Sequence, residues 1–316
     1  MAAMLTLVTM PVSKGMGNLS VTLALLLLSG SLSVQAAARL NAADNETPIH
    51  APANAEAVRK IPAGFHFIEP GTLTVATSAT NSPPLALLDS DNVTRTGSDP
   101  DIARLLADSL GLKLKLVPAS WEEWPLGISA GRYDVAMFNI AVTEERKKKF
   151  DFATYRADNH AFSVKKESPV TSINSPAEIA GKRIIVASGT NQERILLSWD
   201  QQNRAKGLPP VQPVYLMDDA SATLYLLSGR ADALFGPHSI AAWKVASRGQ
   251  TRLVGQGPFR AWVAVTTKKG NGLAEALQTA LNGVITGGEY AKVLQRWGEQ
   301  DEAVTRSVVN PPGIVY

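Results

Sequence analysis

The chain of 316 residues is 45% apolar and 19% charged, enough to build one large domain or two medium ones around a hydrophobic core. Its formal charge of +3 is close to balance, and its one compact basic run is Arg146-Lys147-Lys148-Lys149, so composition favours neither a nucleic-acid nor a membrane-surface partner. The chain has no cysteine, and its four histidines lack metal-ligand spacing. We therefore expect no metal and no cofactor.

Residues 1–36 predict an export signal. Lys14 is the one charge before the apolar run at 21–28, and Val34-Gln35-Ala36 supplies small residues at the spacing of a cleavage site. A transmembrane anchor is the alternative, but the run is shorter than the ~20 apolar residues that a span needs. We predict cleavage near Ala36 and, in a Gram-negative cell, export to the periplasm.

Residues 37–70 are rich in Ala, Asn and Pro without clear periodicity, and we interpret them as an irregular lead-in. Strands are then predicted at 73–77, 112–117 and 134–138, with a hairpin over 85–96. A helix is predicted from Asp99, which can cap it, to Gly111, which ends it. Short helices are predicted at 121–130 and 144–149.

After Tyr155 the same alternation begins again. Apolar runs predict strands, at 161–164, 183–187, 214–217, 233–235, 253–254 and 262–266. Amphipathic segments predict helices, at 192–199, 218–228, 239–247, 273–285 and 289–297. This alternation indicates an α/β protein with mainly parallel sheets.

One short pattern occurs twice. Residues 128–138 read ISAGRYDVAMF and residues 227–235 read LSGRADALF; both give a helix end, Gly-Arg, one residue, Asp, and a short apolar strand. Coincidence in a common helix–strand turn is the alternative. Together with the restart after Tyr155, the repeat favours two similar lobes, each contributing a strand end to one cleft.

A polar turn at 139–143 follows the predicted strand at 134–138, and ligands of α/β proteins bind at such strand ends. Arg146 lies just past this turn, and a guanidinium offers two parallel donors that match a carboxylate. The residues alone favour a solvated charged turn over this carboxylate clamp. No hydrolase, metalloprotease or cysteine-nucleophile motif is present.

Two other features have both a structural and a ligand-binding interpretation. The loop at 188–192 precedes a helix, so it is either an ordinary cap or a set of N–H donors for an anion. Trp121 and Trp124 are three residues apart on a predicted helix, where one suits the core and the other suits the wall of a pocket.

Taken together, these motifs resemble the family 3 extracellular solute-binding proteins, the periplasmic receptors of amino-acid ABC importers, which are related to the ligand cores of ionotropic glutamate receptors. The matching segments are GSDPDIA at 97–103, Trp121, GRYDV at 131–135, TEER at 143–146, FDF at 150–152, SGTNQE at 188–193 and GRADA at 229–233. The resemblance covers nearly all of residues 71–300.

The resemblance implies a two-lobed periplasmic-binding-protein fold of type II. Each lobe has a mainly parallel sheet flanked by helices, and two crossover strands join the lobes, which close on the ligand. Lobe 1 is expected at 71–157 plus 266–316, lobe 2 at 163–260, and the hinges near 158–162 and 261–265. The implied protein is a monomer that binds a small molecule and partners the membrane permease of an ABC transporter, without catalysis.

The resemblance also implies roles in the first lobe. Arg146 matches the arginine that holds the ligand α-carboxylate, and Trp121 matches the aromatic residue that stacks over the ligand. Asn139 and Ala141 match positions that bind the α-amino group through a backbone carbonyl and a hydroxyl.

In the second lobe, Thr190 and Asn191 match donors that meet the carboxylate. Ser78 and Asn81, back in the first lobe, match positions that read the ligand side chain.

Three departures from the family pattern bear on the ligand. Ala141 stands where a Ser or Thr hydroxyl is usual, Pro237 where an Asp meets the ligand ammonium, and Ser78 where receptors for basic side chains carry an acid. A buried ammonium without a carboxylate is costly, so an amino-acid derivative stands beside an ordinary amino acid as the expected ligand. His238 is either a replacement polar group or an ordinary helix-start histidine.

Two other functions stay open. One is an enzyme of the cyclohexadienyl- or arogenate-dehydratase type on the same scaffold, which needs a general acid in the cleft; Pro237 and Ala141 make the cleft poor in acids. The other is a stand-alone receptor for a sensor system. A binding protein without catalysis is the interpretation that we prefer.

Overall fold

The computed structural model describes residues 47–316, so the predicted signal at 1–36 lies outside the described residues. Its main feature is one eight-stranded sheet with helices against it. The elements of the first half are helix α1 (Ala55–Arg59), strands β1 (Thr72–Ser78), β2 (Leu87–Leu88) and β3 (Arg95–Thr96), helix α2 (Ser98–Ser109), strand β4 (Lys113–Ala119), helix α3 (Glu123–Ser129), strand β5 (Val135–Met137), helix α4 (Glu144–Lys147) and strand β6 (Phe150–Lys165).

The second half continues the alternation and ends in helices. Its elements are strand β7 (Arg183–Val186), helix α5 (Asn191–Ala205), strand β8 (Gln212–Tyr215), helix α6 (Asp219–Leu227), strand β9 (Ala233–Pro237), helix α7 (His238–Arg248), strand β10 (Thr251–Lys268), helix α8 (Leu273–Gly287) and helix α9 (Glu289–Trp297), with 3-10 turns at Pro176–Ile179 and Gln300–Glu302.

The strand order β4-β1-β5-β10-β6-β9-β7-β8 divides the sheet into two parallel groups. Strand β1 lies parallel to β4 and β5, and β7 lies parallel to β8 and β9. Between these groups run β6 and β10, antiparallel strands of 16 and 18 residues. We call the β4-β1-β5 group with its helices the first lobe, and the β9-β7-β8 group with its helices the second lobe.

The predicted α/β fold is confirmed, but the two long strands were predicted only as fragments. Strand β6 carries Asp151, Arg156 and Asp158 among its apolar residues, which interrupts the apolar pattern that marks a strand. Arg156 and Asp158 are nonetheless buried, because each has polar partners inside the protein.

The repeated Gly-Arg-x-Asp pattern has the same structural role in both lobes. Asp134 accepts hydrogen bonds from the main-chain N–H groups of Thr74 in β1 (2.7 Å) and of Ile68, which precedes that strand (3.0 Å). Asp232 accepts one from the N–H of Arg183 (2.8 Å), the first residue of β7. In each lobe this aspartate is hydrogen-bonded to the main chain near the beginning of the neighbouring parallel strand, which holds the two strands in register.

The two lobes have separate apolar cores. The first-lobe core packs α2, α8 and α9 against β1 and β5, with Trp297 among its fully buried side chains. The second-lobe core contains Phe162 and Phe235, whose rings stack at 4.0 Å between centroids, and Trp199 beside them. Burying large aromatic rings in this way is a main source of stability.

The prediction that Asp99 caps helix α2 is wrong. The helix begins at Ser98 after Gly97, and the Asp99 carboxylate points inward, where it accepts hydrogen bonds from the Asn139 N–H (2.9 Å) and the Tyr155 hydroxyl (2.5 Å). A carboxylate can cap its own helix or bind donors elsewhere in the fold. The Asp99 carboxylate binds two donors from distant segments, so it is not available as a cap.

The described part of the lead-in, residues 47–70, contains helix α1 instead of an entirely irregular chain. Asn54 caps the helix by accepting from the N–H groups of Glu56 and Ala57. The Asn54 N–H donates to the Ser109 carbonyl (2.8 Å), and Ala57 is fully buried against the first-lobe core. A single turn of helix this short has no apolar periodicity to reveal it in the sequence.

A buried polar cluster lies where β6 leaves the first lobe. Arg156 is fully buried and pairs with Glu299 (3.2 Å) and with Glu302, and it also donates to the side-chain oxygen of Asn139 (2.5 Å). Burial opposes the charge of Arg156, but the facing Glu299 and Glu302 raise its pKa overall. Burial raises the pKa of Asp158, the next acidic residue of the strand, to about 8, and Glu302 adds to the increase.

Candidate functional site

Two adjoining cavities lie between the lobes, each with a volume of about 220 Å³. The first, the apolar cavity, is lined mainly by side chains at strand ends and helix starts, among them Ser78, Leu85, Phe138, Phe235, Pro237 and Ile240. The second, the arginine pocket, is lined by Arg146, Trp124, Gly189, Arg194 and Tyr316. Trp121, Thr190 and Asn191 line both, so the cavities share a wall.

Arg146 lies on helix α4, which Thr143 caps through its hydroxyl (3.1 Å to the Arg146 N–H). Its guanidinium donates to the Ala141 carbonyl in the first lobe (2.9 Å) and to the Gly189 carbonyl in the second (3.3 Å). Burial lowers the pKa of Arg146 to about 10, which leaves it protonated at neutral pH. Two of its five N–H donors are thus engaged, and others are left for an anion.

Two tryptophans form the apolar surroundings of that guanidinium. The Arg146 guanidinium carbon lies 5.3 Å from the Trp121 ring centroid and 5.9 Å from that of Trp124, within the range of cation–π attraction. Trp124 is buried in a second, smaller apolar cluster of the first lobe with Phe150 and Phe152, whereas Trp121 is half-buried and precedes helix α3. A Cβ atom on Gly189 would lie 3.4 Å from the Trp121 indole nitrogen, so this ring meets the second lobe.

Asn139 and Ala141 belong to the turn after β5. Asn139 has a positive φ of 53°, a conformation that Asn tolerates better than most residues, and it lines the apolar cavity. Its amide nitrogen donates to Asp158 (2.9 Å) and its side-chain oxygen accepts from Arg156, so both ends of the amide have a partner inside the protein. Ala141 is buried and lines neither cavity, and its carbonyl serves Arg146.

Ser78 and Asn81 lie in and just after strand β1, but only Ser78 lines the apolar cavity. Its hydroxyl bonds with the Thr80 hydroxyl (3.0 Å). Asn81 is exposed and lines neither cavity; its oxygen accepts from the Leu88 N–H (3.1 Å) and from Arg95 (3.3 Å). Asn81 thus braces the β2–β3 hairpin, and its expected contact with a ligand side chain has no support from this placement.

Thr190 and Asn191 stand at the beginning of helix α5. Thr190 caps the helix: its hydroxyl donates to the Ala187 carbonyl (2.7 Å) and accepts from the Glu193 N–H (3.2 Å). Asn191 is buried, and its amide nitrogen is hydrogen-bonded to the ring of His160. Both side chains face the cavities with part of their hydrogen-bonding capacity already in use.

His238 follows Pro237 at the start of α7, and the two residues face different surroundings. Pro237 lines the apolar cavity, whereas His238 lines neither cavity and bonds with Glu302 (3.3 Å). A hydrogen bond to Glu302 raises the pKa of His238, against the effect of burial. His238 therefore belongs to the buried polar cluster, and the interpretation of it as a polar group facing the ligand is not supported.

Several lining residues were not identified from the sequence. The sequence predicts a cleft poor in acids, but Asp99 and Glu122 place carboxylates at the apolar cavity. Burial raises the pKa of Asp99. Tyr316 lies at the arginine pocket, with its ring 5.9 Å from the Arg194 guanidinium carbon. No local pattern marks Tyr316, because it reaches the pocket through pairing of Ile314 with the Val142 and Glu144 main chain.

Within residues 47–316, no group of three acidic or histidine side chains has a geometry that holds a metal ion. In the same range no helix is long and apolar enough to cross a bilayer. The arrangement suits recognition: a half-buried cation, aromatic surfaces, and polar groups around an apolar cavity.

A sequence model of the bacterial extracellular solute-binding proteins, family 3, matches residues 73–300. The L-cystine-binding protein TcyJ of Escherichia coli (strain K12) is 30% identical over 235 residues, which cover 72% of this chain and 83% of TcyJ. The arginine-binding protein ArgT of Corynebacterium glutamicum is 26% identical over 233 residues, 72% of this chain and 75% of ArgT.

Solved structures agree with the sequence match. An ancestral arginine-binding protein bound to arginine superposes with a TM-score of 0.64 at 28% identity, covering 72% of this chain and 98% of that one. The ancestral amino acid-binding protein AncCDT-1, a precursor of cyclohexadienyl dehydratase, gives a TM-score of 0.64 at 27% identity over 72% of this chain and 95% of that one. The family expected from the sequence motifs is confirmed, and this chain belongs to the bacterial extracellular solute-binding proteins, family 3.

Proposed function

We propose that this solute-binding protein takes a small carboxylate-bearing solute, an amino acid or amino-acid derivative, into the cleft between its lobes and delivers it to the membrane permease of an ABC importer. The relatives named for cystine and arginine are amino-acid receptors, which supports the solute class. The protein acts as a monomer in this proposal, and its mechanism is binding and closure.

Arg146 is the observation that carries the proposal. Its guanidinium is charged, lies against two indole rings and already bridges the lobes through the Ala141 and Gly189 carbonyls. A carboxylate that enters here finds a donor set which matches it in charge and in planar geometry.

The apolar cavity next to Arg146 suits the remainder of the solute. Leu85, Phe138, Phe235 and Ile240 give it apolar walls, and Trp121 offers a flat face that also borders the arginine pocket. A solute with its carboxylate at Arg146 and an apolar or extended body in this cavity fills both spaces.

The hinge and export assignments belong to the same proposal. Closure is assigned to β6 and β10 near 158–162 and 261–265, with lobe 1 at 71–157 plus 266–316 and lobe 2 at 163–260. Export to the periplasm is assigned to a signal peptide cleaved near Ala36. A receptor delivering solute to a permease must work outside the inner membrane, so these assignments are consistent with one another.

An enzyme of the dehydratase type is the second candidate, because Asp99 and Glu122 place acids at the apolar cavity and AncCDT-1 is a precursor of such an enzyme. Asp99 accepts two hydrogen bonds from the protein, which keeps it as a structural carboxylate. We therefore expect no turnover of arogenate or prephenate in a spectrophotometric assay; measurable product formation would support the enzyme.

The test begins with a thermal-shift screen over amino acids, opines and small organic acids, because a bound solute raises the melting temperature by mass action. The best probe is then titrated by calorimetry into the wild type and Arg146→Ala. A hydrogen-bonded charged group contributes about 1.5–3 kcal/mol, so Kd should rise about 12- to 150-fold.

Arg252→Ala is the matched control. The Arg252 guanidinium also donates to main-chain carbonyls, those of Ser168 (2.8 Å) and Val170 (2.7 Å), but it lines neither cavity. Its substitution should leave Kd unchanged. An Arg146→Ala protein that keeps its fold by circular dichroism and binds the probe as tightly as the wild type would refute the carboxylate assignment.

A further inference from the structure

An irregular part of β10 brings a main-chain carbonyl to a buried histidine. Gln256 pairs with Ala161 and Arg260 pairs with Asn159, so four steps along β10 match two steps along β6. The extra residues leave the Phe259 carbonyl outside the strand ladder, and it contacts the Nδ1 atom of His160 at 2.9 Å. His160 is itself buried, between the Phe235 ring and Gly257.

This contact determines which ring nitrogen carries the proton. A carbonyl oxygen only accepts hydrogen bonds, so Nδ1 of His160 must be the donor to Phe259. In the neutral ring Nε2 is then an acceptor, and its partner is the side-chain amide of Asn191. That amide must present its nitrogen, because its oxygen would leave two acceptors facing each other.

We propose that His160 is a positioning residue which locks the Asn191 amide with its oxygen directed away from the histidine, as a hydrogen-bond acceptor for the bound solute. This inference rests on the proposed function and specifies its solute class: the solute carries an N–H donor, such as an ammonium group. The side chain of Asn191 then contacts that donor instead of the solute carboxylate.

The neighbouring threonine supports the same assignment. The Thr190 hydroxyl already donates its proton to the Ala187 carbonyl, so toward the cavities it too offers only a lone pair. Two neutral acceptors thus stand at the second-lobe wall of a cavity that Pro237 also lines. A solute amine finds acceptors there without an aspartate at position 237. Burial lowers the pKa of His160 to about 4, which is consistent with a neutral ring at the pH of binding experiments.

The orientation is tested without any solute by nitrogen-15 NMR of the imidazole rings. The chain has four histidines, and the His160 signals are assigned by their loss in His160→Gln. We expect His160 to show a protonated Nδ1 and an unprotonated Nε2 at pH 7. A protonated Nε2, or a doubly protonated ring, would overturn the proposal.

The effect on recognition is tested with three probe pairs: L-leucine and 4-methylpentanoate, L-phenylalanine and 3-phenylpropanoate, and L-arginine and 5-guanidinopentanoate. We expect the wild type to prefer the amino member of a pair that binds. His160→Leu should reduce that preference by about 12- to 150-fold, the range for one hydrogen bond that involves a charged group such as the ammonium.

His160→Gln is the conservative variant, because a primary amide has one donor for Phe259 and one acceptor for Asn191. It should restore the preference that His160→Leu loses, whereas a merely structural role predicts equal affinity changes for both members of a pair. A preference that stays unchanged in a folded His160→Leu protein would overturn the proposal. Failure of every probe to bind would count against the proposed function, while the NMR result would still decide the orientation.

Discussion

Replacement of Arg156 by methionine tests whether the buried polar cluster is held together by this one cation. The Arg156 side chain is 0% exposed, and its partners Glu299 and Glu302 are 1% and 3% exposed. Asp158 on the same strand is also buried. The variant keeps a side chain of similar length but leaves these carboxylates buried without their counter-charge.

Breaking a buried ion pair by removing one partner costs about 3–5 kcal/mol. For a chain of this size each kcal/mol lowers the melting temperature by about 2–4 °C, so Tm should fall by roughly 6–20 °C. Burial already raises the pKa of Glu299 to about 8. Without Arg156 the buried carboxylates must be protonated in the folded protein, so their folded pKa values lie above the unfolded value of about 4.3. The loss of stability in the variant should therefore grow as the pH rises above about 4.3.

The assay is urea unfolding followed by circular dichroism at pH 5 and pH 8. Arg183→Met is the matched control, because Arg183 pairs with Asp232 at 2.7 Å but the two side chains are 42% and 31% exposed. An exposed pair contributes about 0–1 kcal/mol, with little change between the two pH values. If Arg156→Met loses no more stability at pH 8 than Arg183→Met, the buried cation does not stabilise the cluster.

Two further predictions concern single contacts. The pKa of His238 is raised by its hydrogen bond to Glu302, so its contribution to stability is complete below the unfolded pKa of about 6.5 and is lost as pH rises through the higher folded value. Thermal melts from pH 5 to pH 9 should therefore show a decline that is smaller in His238→Gln; some decline remains there, because burial raises the pKa values of Asp158 and Glu299 to about 8. Parallel curves for the two proteins would contradict this. Gly255→Ala should cost about 3 kcal/mol or more in urea unfolding, because the new Cβ would lie 1.7 Å from the Ile173 carbonyl oxygen. Gly207→Ala is the control, because a Cβ at Gly207 would meet nothing within 4 Å and its φ is +70°. It should lower the free energy of unfolding by only the ~1–2 kcal/mol that a left-handed backbone costs. Equal losses in the two variants would show that the protein relaxes the contact with Ile173.

The first lobe was predictable because local patterns determine it. Helix α2 follows from apolar residues on one face, and the strand at β1 follows from an apolar run between polar loops. The sequence showed the duplicated Gly-Arg-x-Asp pattern but not its role. In the structure, Asp134 and Asp232 each accept a hydrogen bond from the main chain near the start of a neighbouring strand. The apolar patterns depend on residues close in the chain, whereas these two aspartates bond to residues 60 and 49 positions away.

The site was less predictable, because its partners come from distant segments. Asp99 had every feature of a helix cap, yet its carboxylate accepts a hydrogen bond from the hydroxyl of Tyr155, 56 positions later. The hydrogen bond from His160 to Phe259 spans 99 positions and depends on a strand irregularity that the sequence does not mark. Asn81 follows strand β1 as predicted, but its side chain accepts a hydrogen bond from Arg95 of the hairpin and lines neither cavity.

The position of Arg146 suggests how solute binding is coupled to closure. Its guanidinium bonds to Ala141 in its own lobe and to the carbonyl of Gly189 in the other. A solute carboxylate beside the guanidinium competes with the Gly189 carbonyl for the same donors. The exchange is favourable, because a carboxylate adds charge attraction and can take two parallel hydrogen bonds from the guanidinium, whereas the neutral Gly189 carbonyl takes one. In the proposed complex the carboxylate lies between Arg146 and the main-chain N–H groups of the loop before helix α5, whose N-terminus favours an anion. We therefore propose that closure and recognition both depend on this guanidinium, and a charge-preserving change such as Arg146→Lys, which loses the planar pair of donors, should weaken both.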